Sequence, residues 1–144
     1  MQWNIEALQN WDEVKEYVDT ALLVHYIYEE DRPLPEHALR LTYLMSLAGA
    51  IEQRLTGRIM MFPAAYHVAD EAGKVALHLP QDFAYKLILR FSGHDFTLSA
   101  ETVQGQVQFL TVGDQDLDSQ IRFDITVDVL FKEILHIWQP KVAK

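Results

Sequence analysis

The run from Ala21 to Tyr28 (Ala-Leu-Leu-Val-His-Tyr-Ile-Tyr) constrains this chain more than any other segment. A strand with one wet face alternates apolar and polar residues. This run is apolar at both parities, so it reads as a central strand covered on both sides. Such a strand needs a layer above it and another below, and the flanking sequence offers both. Ahead of it, Asn4 can cap a helix in which Ala7, Trp11, Val14 and Val18 make one apolar stripe. Behind it, the polar turn Glu29 to Pro33 leads into a helix starting near Pro35. Leu39, Tyr43, Leu47, Ala50 and Ile51 mark its apolar face, and Leu41, Leu44, Ala48 and Leu55 widen that face. Glu36 and Arg40 form an i, i+4 pair on its outside, and Gly57 supplies a left-handed residue after the helix ends near Thr56.

Arg58 to Phe62 reads as a second buried strand stopped by Pro63. Strand, long helix, strand is the signature of a right-handed parallel crossover. Farther on, Tyr85, Leu87, Leu89 and Phe91 alternate like a strand, while Phe83, Leu87 and Phe91 stack at helical spacing ahead of Gly93; the helix is the favoured reading. Phe96 to Ala100 and Gln106 to Val112 read as strands joined by a short loop at Gly105, which predicts antiparallel pairing. Residues 121–127 satisfy both periods, and from Asp128 the spacing of Leu130, Phe131, Ile134 and Trp138 is helical. Lys141 and Lys144 follow that helix, where its dipole favours cations. Together these elements predict one three-layer α/β domain over residues 1–144, with a mixed, mostly parallel sheet and helices on both faces.

Composition narrows the function. A chain of 144 residues buries roughly 68% of its extended surface on folding, so it needs no staples, and it has no cysteine. Disulfides, thiolate zinc sites and cysteine nucleophiles are thereby excluded. Twelve Lys and Arg stand against twenty-one Asp and Glu, a net charge of −9 with no basic tract, which disfavours nucleic acid and anionic membrane surfaces as partners. The longest nearly apolar run, Leu44 to Ile51, is far short of the ~20 residues that span a bilayer, and no basic stretch precedes an apolar one at the N-terminus. Membrane insertion is not expected, and a cytoplasmic location is.

No Gly-x-Gly-x-x-Gly, phosphate loop, His-Glu-x-x-His or Gly-x-Ser-x-Gly occurs. The loop after the first strand has no glycine, so the shape is Rossmann-like without a dinucleotide motif. In Gly113-Asp114-Gln115-Asp116-Leu117-Asp118-Ser119, three carboxylates alternate as at the start of a calcium loop. Ser119 replaces the turn glycine, however, and Ile125 stands where a bidentate Glu is needed. The turn reads first as a solvated acidic segment in which Asp118 or Ser119 caps the last helix. Its second reading is a weak magnesium or calcium site at Asp114, Asp116 and Asp118; no other cofactor is indicated.

Open α/β sheets bind ligands beyond the carboxyl ends of their strands. Those ends carry Glu29, Glu30 and Asp31 after the first strand and Tyr66 and His67 after the second. Glu30, Asp31 and His67 are therefore candidate rim residues, joined by the acidic turn if the last strand runs parallel. Among the other histidines, His25 reads as a hydrogen-bonded core residue, His37 and His136 as exposed or edge positions on helices, and His78 and His94 as loop residues, with His94 and Asp95 shaping a turn. Trp3 and Trp138 lie near the termini and are candidate interface aromatics, against the plainer reading of terminal helices docking on the sheet.

Trp3, the segment Glu16-Tyr17-Val18-Asp19-Thr20 leading into the buried strand, and Leu55-Thr56-Gly57-Arg58 leading into Ile59 to Pro63 resemble the YpiF-like family, short proteins of unknown function from spore-forming Gram-positive bacteria. The likeness covers about the first 65 residues, and the Gly113 to Trp138 end resembles that family's acidic loop and closing helix. It implies a cytoplasmic α/β fold with a long final helix and carries no catalytic residue over; residues Val68 to Pro80 depart from the pattern. The absence of catalytic motifs and the aromatic residues near the termini lead to the expectation of a non-catalytic cytoplasmic module that binds a protein partner or forms a homodimer through an apolar and aromatic surface. The alternative is a small metal-assisted hydrolase or metabolite-binding protein using the acidic loop at the strand ends.

Overall fold

In the computed structural model, residues 1–68, 74–75, 83–94, 97–98 and 106–139 are described. Their elements, in chain order, are α1 (Trp11–Val14), β1 (Thr20–Tyr28), α2 (Leu34–Arg54), β2 (Ile59–Met61), β3 (Ala65–Val68), β4 (Lys74–Val75), β5 (Tyr85–Phe91), β6 (Thr97–Leu98), β7 (Gln106–Val112) and α3 (Gln120–Trp138). Most of the Val68 to Pro80 stretch, with His78, and Asp95, the Gly105 loop and Lys141 and Lys144 lie outside the described residues.

The main sheet has the order β2-β1-β5-β7, with β3 beside β1 on the β2 side, and every described pairing is parallel. β1 is central, as its two-faced apolarity requires. Leu22, Val24 and Tyr26 pack with Leu44, Leu47 and Ile51 of α2 and Val127, Leu130 and Ile134 of α3. On the opposite face, Ala21 and Leu23 pack with Met60, Phe62, Phe83 and Ile88 under Leu8 and Trp11 of the N-terminal segment. The result is a three-layer α/β domain: α2 and α3 cover one face, and the N-terminal segment with α1 covers the other.

Several local expectations are met. Ser119 caps α3, its side chain accepting from the Arg122 amide at 3.2 Å, and Gly57 follows α2 with φ +100°. Asn4 does accept from the Ala7 amide at 2.6 Å, but turns follow and only Trp11–Val14 is helical. Residues 120–127 belong to α3.

Two expectations about the later strands are overturned. Tyr85–Phe91 is a strand, not a helix, because Leu87, Leu89 and Phe91 fill one face and Ile88 the other. A strand buried on both faces contains helical spacings by default, so the i, i+4 match carried no information. Nor does Gln106–Val112 pair antiparallel with the preceding segment: β7 runs parallel to β5 from Tyr85↔Gln106 to Phe91↔Val112, and β6 pairs with β4. Leu110 and Val112 face α2 and α3 while Val107 and Phe109 face the other layer, a pattern that suits a buried parallel ladder.

Pro63 interrupts rather than ends the second strand. It has no amide to donate, so the ladder lapses after the Phe62 amide bonds the Leu22 carbonyl at 2.8 Å and resumes at Ala65. Between Leu22↔Met61 and His25↔Ala65 the register slips by one residue, a bulge in the edge strand. Because side chains alternate faces, the slip turns Tyr66 toward the α2 side beside Tyr26 and His67 to the other side beside His25.

Candidate functional site

The order β2-β1-β5-β7 contains one reversal. From β1 the chain moves by way of α2 to β2 on one side, while β5 lies on the other side of β1. A crevice at the carboxyl ends of β1 and β5 is the position where open parallel sheets hold ligands. Glu29 leaves β1 there, His94 leaves β5 one residue past Gly93, whose φ is +88°, and Asp114 leaves β7. The Ser92 amide bonds the Val112 carbonyl at 2.7 Å and ties two of these ends together.

A chain of polar side chains spans these strand ends. Arg40, from the second turn of α2, donates through Nη1 to Asp114 Oδ2 at 2.7 Å and lies with its guanidinium 4.6 Å above the Phe91 ring. Its Nη2 stands 3.3 Å from Nε2 of His94, which is 3.0 Å from Glu29 Oε1. Arg32 holds the other Glu29 oxygen at 3.0 Å and reaches Glu36 at 2.9 Å. His37 donates through Nε2 to the Glu29 carbonyl at 2.7 Å, which leaves its Nδ1 as an acceptor for the Tyr26 hydroxyl. Arg40 is 3% and His94 4% exposed, and Tyr26 and His37 are buried as well.

These contacts fix the proton positions. His94 Nε2 stands 3.0 Å from the Glu29 carboxylate and 3.3 Å from Arg40 Nη2, a group that can only donate. The shorter contact sets the tautomer, so Nε2 carries the proton and donates to Glu29, the approach of Arg40 is not a hydrogen bond, and Nδ1 holds a lone pair. Neither that Nδ1 nor the Arg40 Nε has a hydrogen-bond partner among the described residues, although both atoms are buried. Burial lowers the His94 pKa, the hydrogen bond to Glu29 opposing and the Arg40 charge adding to the effect, so the ring is neutral at pH 7. For Glu29, burial alone would raise the pKa, but the hydrogen bonds from Arg32 and His94 outweigh it and the carboxyl lies below its ordinary value. The Arg40 hydrogen bond likewise lowers Asp114. Burial raises the Tyr26 pKa, so the phenol keeps its proton.

On the other face, His25 Nε2 and His67 Nδ1 are 2.7 Å apart. Burial first, then the His67, His94 and Arg90 charges, lowers the His25 pKa to about 4. His25 is thus the hydrogen-bonded core residue that its place in β1 predicts.

The residues singled out by sequence are brought together only in part. β7 is parallel to β1, so Asp114 does join the rim. Glu30 and Asp31 sit in the same turn as Glu29 but are exposed. His67 lies within β3 rather than after it and, through the bulge, on the face away from Arg40. In the acidic turn Arg40 takes Asp114 and Arg122 takes Asp116 at 2.9 Å, and Asp118 is exposed. Among the described residues no group of three or more His, Asp or Glu is placed to hold a metal ion. Trp3 is half exposed against Phe62, with ring centroids 4.9 Å apart. Trp138 is docked at the opposite end of the sheet, its Nε1 donating to Thr20 Oγ1 at 2.9 Å and the Arg58 guanidinium 3.9 Å from its ring.

Arg40, His37 and His94 were the residues sequence reasoning misplaced. Arg40 does not form an outer pair with Glu36, which pairs with Arg32 instead, and His37 is not an edge residue. A signal was present: 37, 40, 44, 47 and 51 step by three and four residues, so His37 and Arg40 extend the stripe of Leu44, Leu47 and Ile51 that α2 buries.

Fold and site together define a small open parallel α/β domain with a buried polar cluster at its strand-order reversal. The chain belongs to a family described as "Protein of unknown function (DUF2487)", which matches residues 9–102. That span includes Glu29, His37, Arg40 and His94 and ends before Asp114. No curated protein and no solved structure matches the chain. Among the described residues no helix is long and apolar enough to cross a membrane.

Proposed function

We propose that this protein binds a small polar metabolite over the carboxyl ends of β1 and β5, the metabolite-binding alternative raised by the sequence, with a different set of residues. The observation that carries this reading is the buried pair of unspent hydrogen-bonding atoms, Nδ1 of His94 and Nε of Arg40, at the strand-order reversal. Burying an unsatisfied polar atom costs about 1–3 kcal/mol, and a ligand that supplies a donor to His94 and an acceptor to Arg40 removes that cost at both.

The surroundings narrow the ligand class. Arg40 and Arg32 are already balanced by Asp114, Glu29 and Glu36, so a net neutral ligand fits better than a phosphate. Half-exposed Tyr66 stacks on buried Tyr26 with centroids 6.4 Å apart and lies 5.8 Å from Tyr28 at a tilt of 44°, so the Tyr66 ring offers an aromatic face to a planar ligand. A planar heterocycle bearing an amide or amine edge meets all three conditions. The resemblance to the YpiF-like proteins of spore-forming bacteria supports a bacterial cytoplasmic setting.

The test is a thermal-shift titration with adenosine, uridine and nicotinamide, with glucose as the non-planar comparison. A ligand at one hundred times its dissociation constant adds ~2.7 kcal/mol, or roughly 5 to 10 °C in Tm for a domain of this size. The expected result is a shift with a planar probe that His94→Gln abolishes. Equal behaviour of wild type and variant with every probe overturns the reading.

A further inference from the structure

We propose that the protein forms a two-fold symmetric homodimer through the outward face of α3, with two copies of that helix packed antiparallel about Ile125. α3 buries Val127, Leu130 and Ile134 against the sheet, yet its opposite side carries Ile121, Ile125 and Val129 at 75%, 57% and 55% exposure. These residues recur at i, i+4 and i+8, so they form one stripe along the solvent side. β-branched residues are poorer helix formers than alanine by up to ~0.7 kcal/mol each and gain nothing while exposed. A helix apolar on two opposite sides is one covered on both.

The charges beside the stripe select the occupant. In an antiparallel pairing centred on Ile125, Ile121 of one copy lies opposite Val129 of the other, Arg122 opposite Asp128 and Asp118 opposite Lys132. Each positive group therefore meets a negative one, and each apolar group an apolar one. Within a single copy Arg122 already binds Asp116 at 2.9 Å and Arg54 binds Asp128 at 2.6 Å. Bringing Arg122 to the second copy's Asp128 joins these into an alternating run of four charges on either side of the axis. A closed pair needs a self-complementary patch, whereas an unrelated partner requires no symmetry of charge within one helix.

Sedimentation velocity tests the proposal. Nineteen residues of helix make a contact at the small end of the interface range, so the dimer should dominate only at about 100 µM and above. The expected result is a mass of twice 16.7 kDa at high concentration. Ile125→Asp should abolish it, with Tm and helical signal kept because the residue is exposed; Ile121→Ser should weaken it as a second, milder variant. Arg122→Asp and Asp128→Arg should each weaken pairing about tenfold or more on their own, and mixing the two variants, which puts opposite charges back at both contacts across the axis, should recover most of it. A monomer at every concentration overturns the proposal, as does a dimer indifferent to Ile125→Asp. Failure of the mixed variants to pair better than either alone overturns the antiparallel register, and with it the self-complementarity on which the proposal stands.

Discussion

Arg40 and Asp114 are 74 residues apart in the chain and meet through a 2.7 Å hydrogen bond that closes the carboxyl rim of the sheet from α2 to the end of β7. The two partners are not equivalent: Arg40 is almost wholly buried, while about a third of Asp114 reaches solvent. A buried charge left without its partner is costly, whereas a half-exposed one rehydrates. Asp114→Asn should therefore destabilise by about 2–4 kcal/mol and Arg40→Met by less, about 1–2 kcal/mol. Urea unfolding of the two variants checks the order, and a larger loss for Arg40→Met contradicts it.

Stability should fall as the pH drops from about 6.5 toward 4. His25 and His94 have folded pKa values below those of the unfolded chain, so in that window the unfolded state takes up protons that the folded state refuses. For His25, shifted to about 4, the full effect is about 3 kcal/mol. The groups facing it, His67, His94 and Arg90, act in the same direction as burial. Glu29 and Asp114, both held low, keep their contribution until the pH falls through the ordinary carboxylate range and below it. Unfolding free energies at pH 7 and pH 4.5 should differ less in His25→Gln than in wild type; equal differences would show that His25 does not carry the effect.

Two backbone positions predict opposite signs. A Cβ at Gly93 meets nothing within 4 Å, so Gly93→Ala costs only the strain of φ +88°, about 1–2 kcal/mol. Asp116 is a non-glycine residue at φ 55°, and its ion pair with Arg122 is exposed and contributes little. Asp116→Gly should be neutral or stabilising by up to about 1 kcal/mol. Thermal unfolding of both variants decides.

Trp138 acts as an anchor for α3. Trp138→Phe removes the hydrogen bond to Thr20 and weakens the stacking of Arg58, for an expected loss of about 1–2 kcal/mol. Ser119→Ala at the other end of the helix should cost about 1 kcal/mol through the lost cap. If the two losses measured by urea unfolding add in the double variant, the ends of α3 are held independently.

Much of the architecture can be read from local pattern. The apolarity of Ala21 to Tyr28 at both parities requires layers on both faces, the three-four spacing from Leu44 to Ile51 requires a helix, and Gly57 and Ser119 mark helix boundaries through chemistry that acts within a few residues. The same locality explains the failures. Tyr85 to Phe91 satisfies helical and strand spacing at once, and only its neighbours, β1 on one side and β7 on the other, decide for the strand.

The site depended on what the chain brings together from far apart. Glu29, Arg40, His94 and Asp114 are scattered over 86 positions, and although the spacing along α2 marks Arg40 as buried, nothing local shows that the four meet. Their convergence needs the parallel order β1-β5-β7 to put three strand ends on one rim, and that order is set by which apolar faces bury one another. The face on which His67 lies is decided by a one-residue slip after Pro63, which sequence spacing alone does not reveal. The sequence thus determined the layers and the bounds of β1, α2 and β7, because propensity, capping and periodicity act over a few residues. Tertiary structure alone decided strand order, register and the buried charge cluster, because these are set by long-range packing and by the cost of leaving a buried charge unpaired.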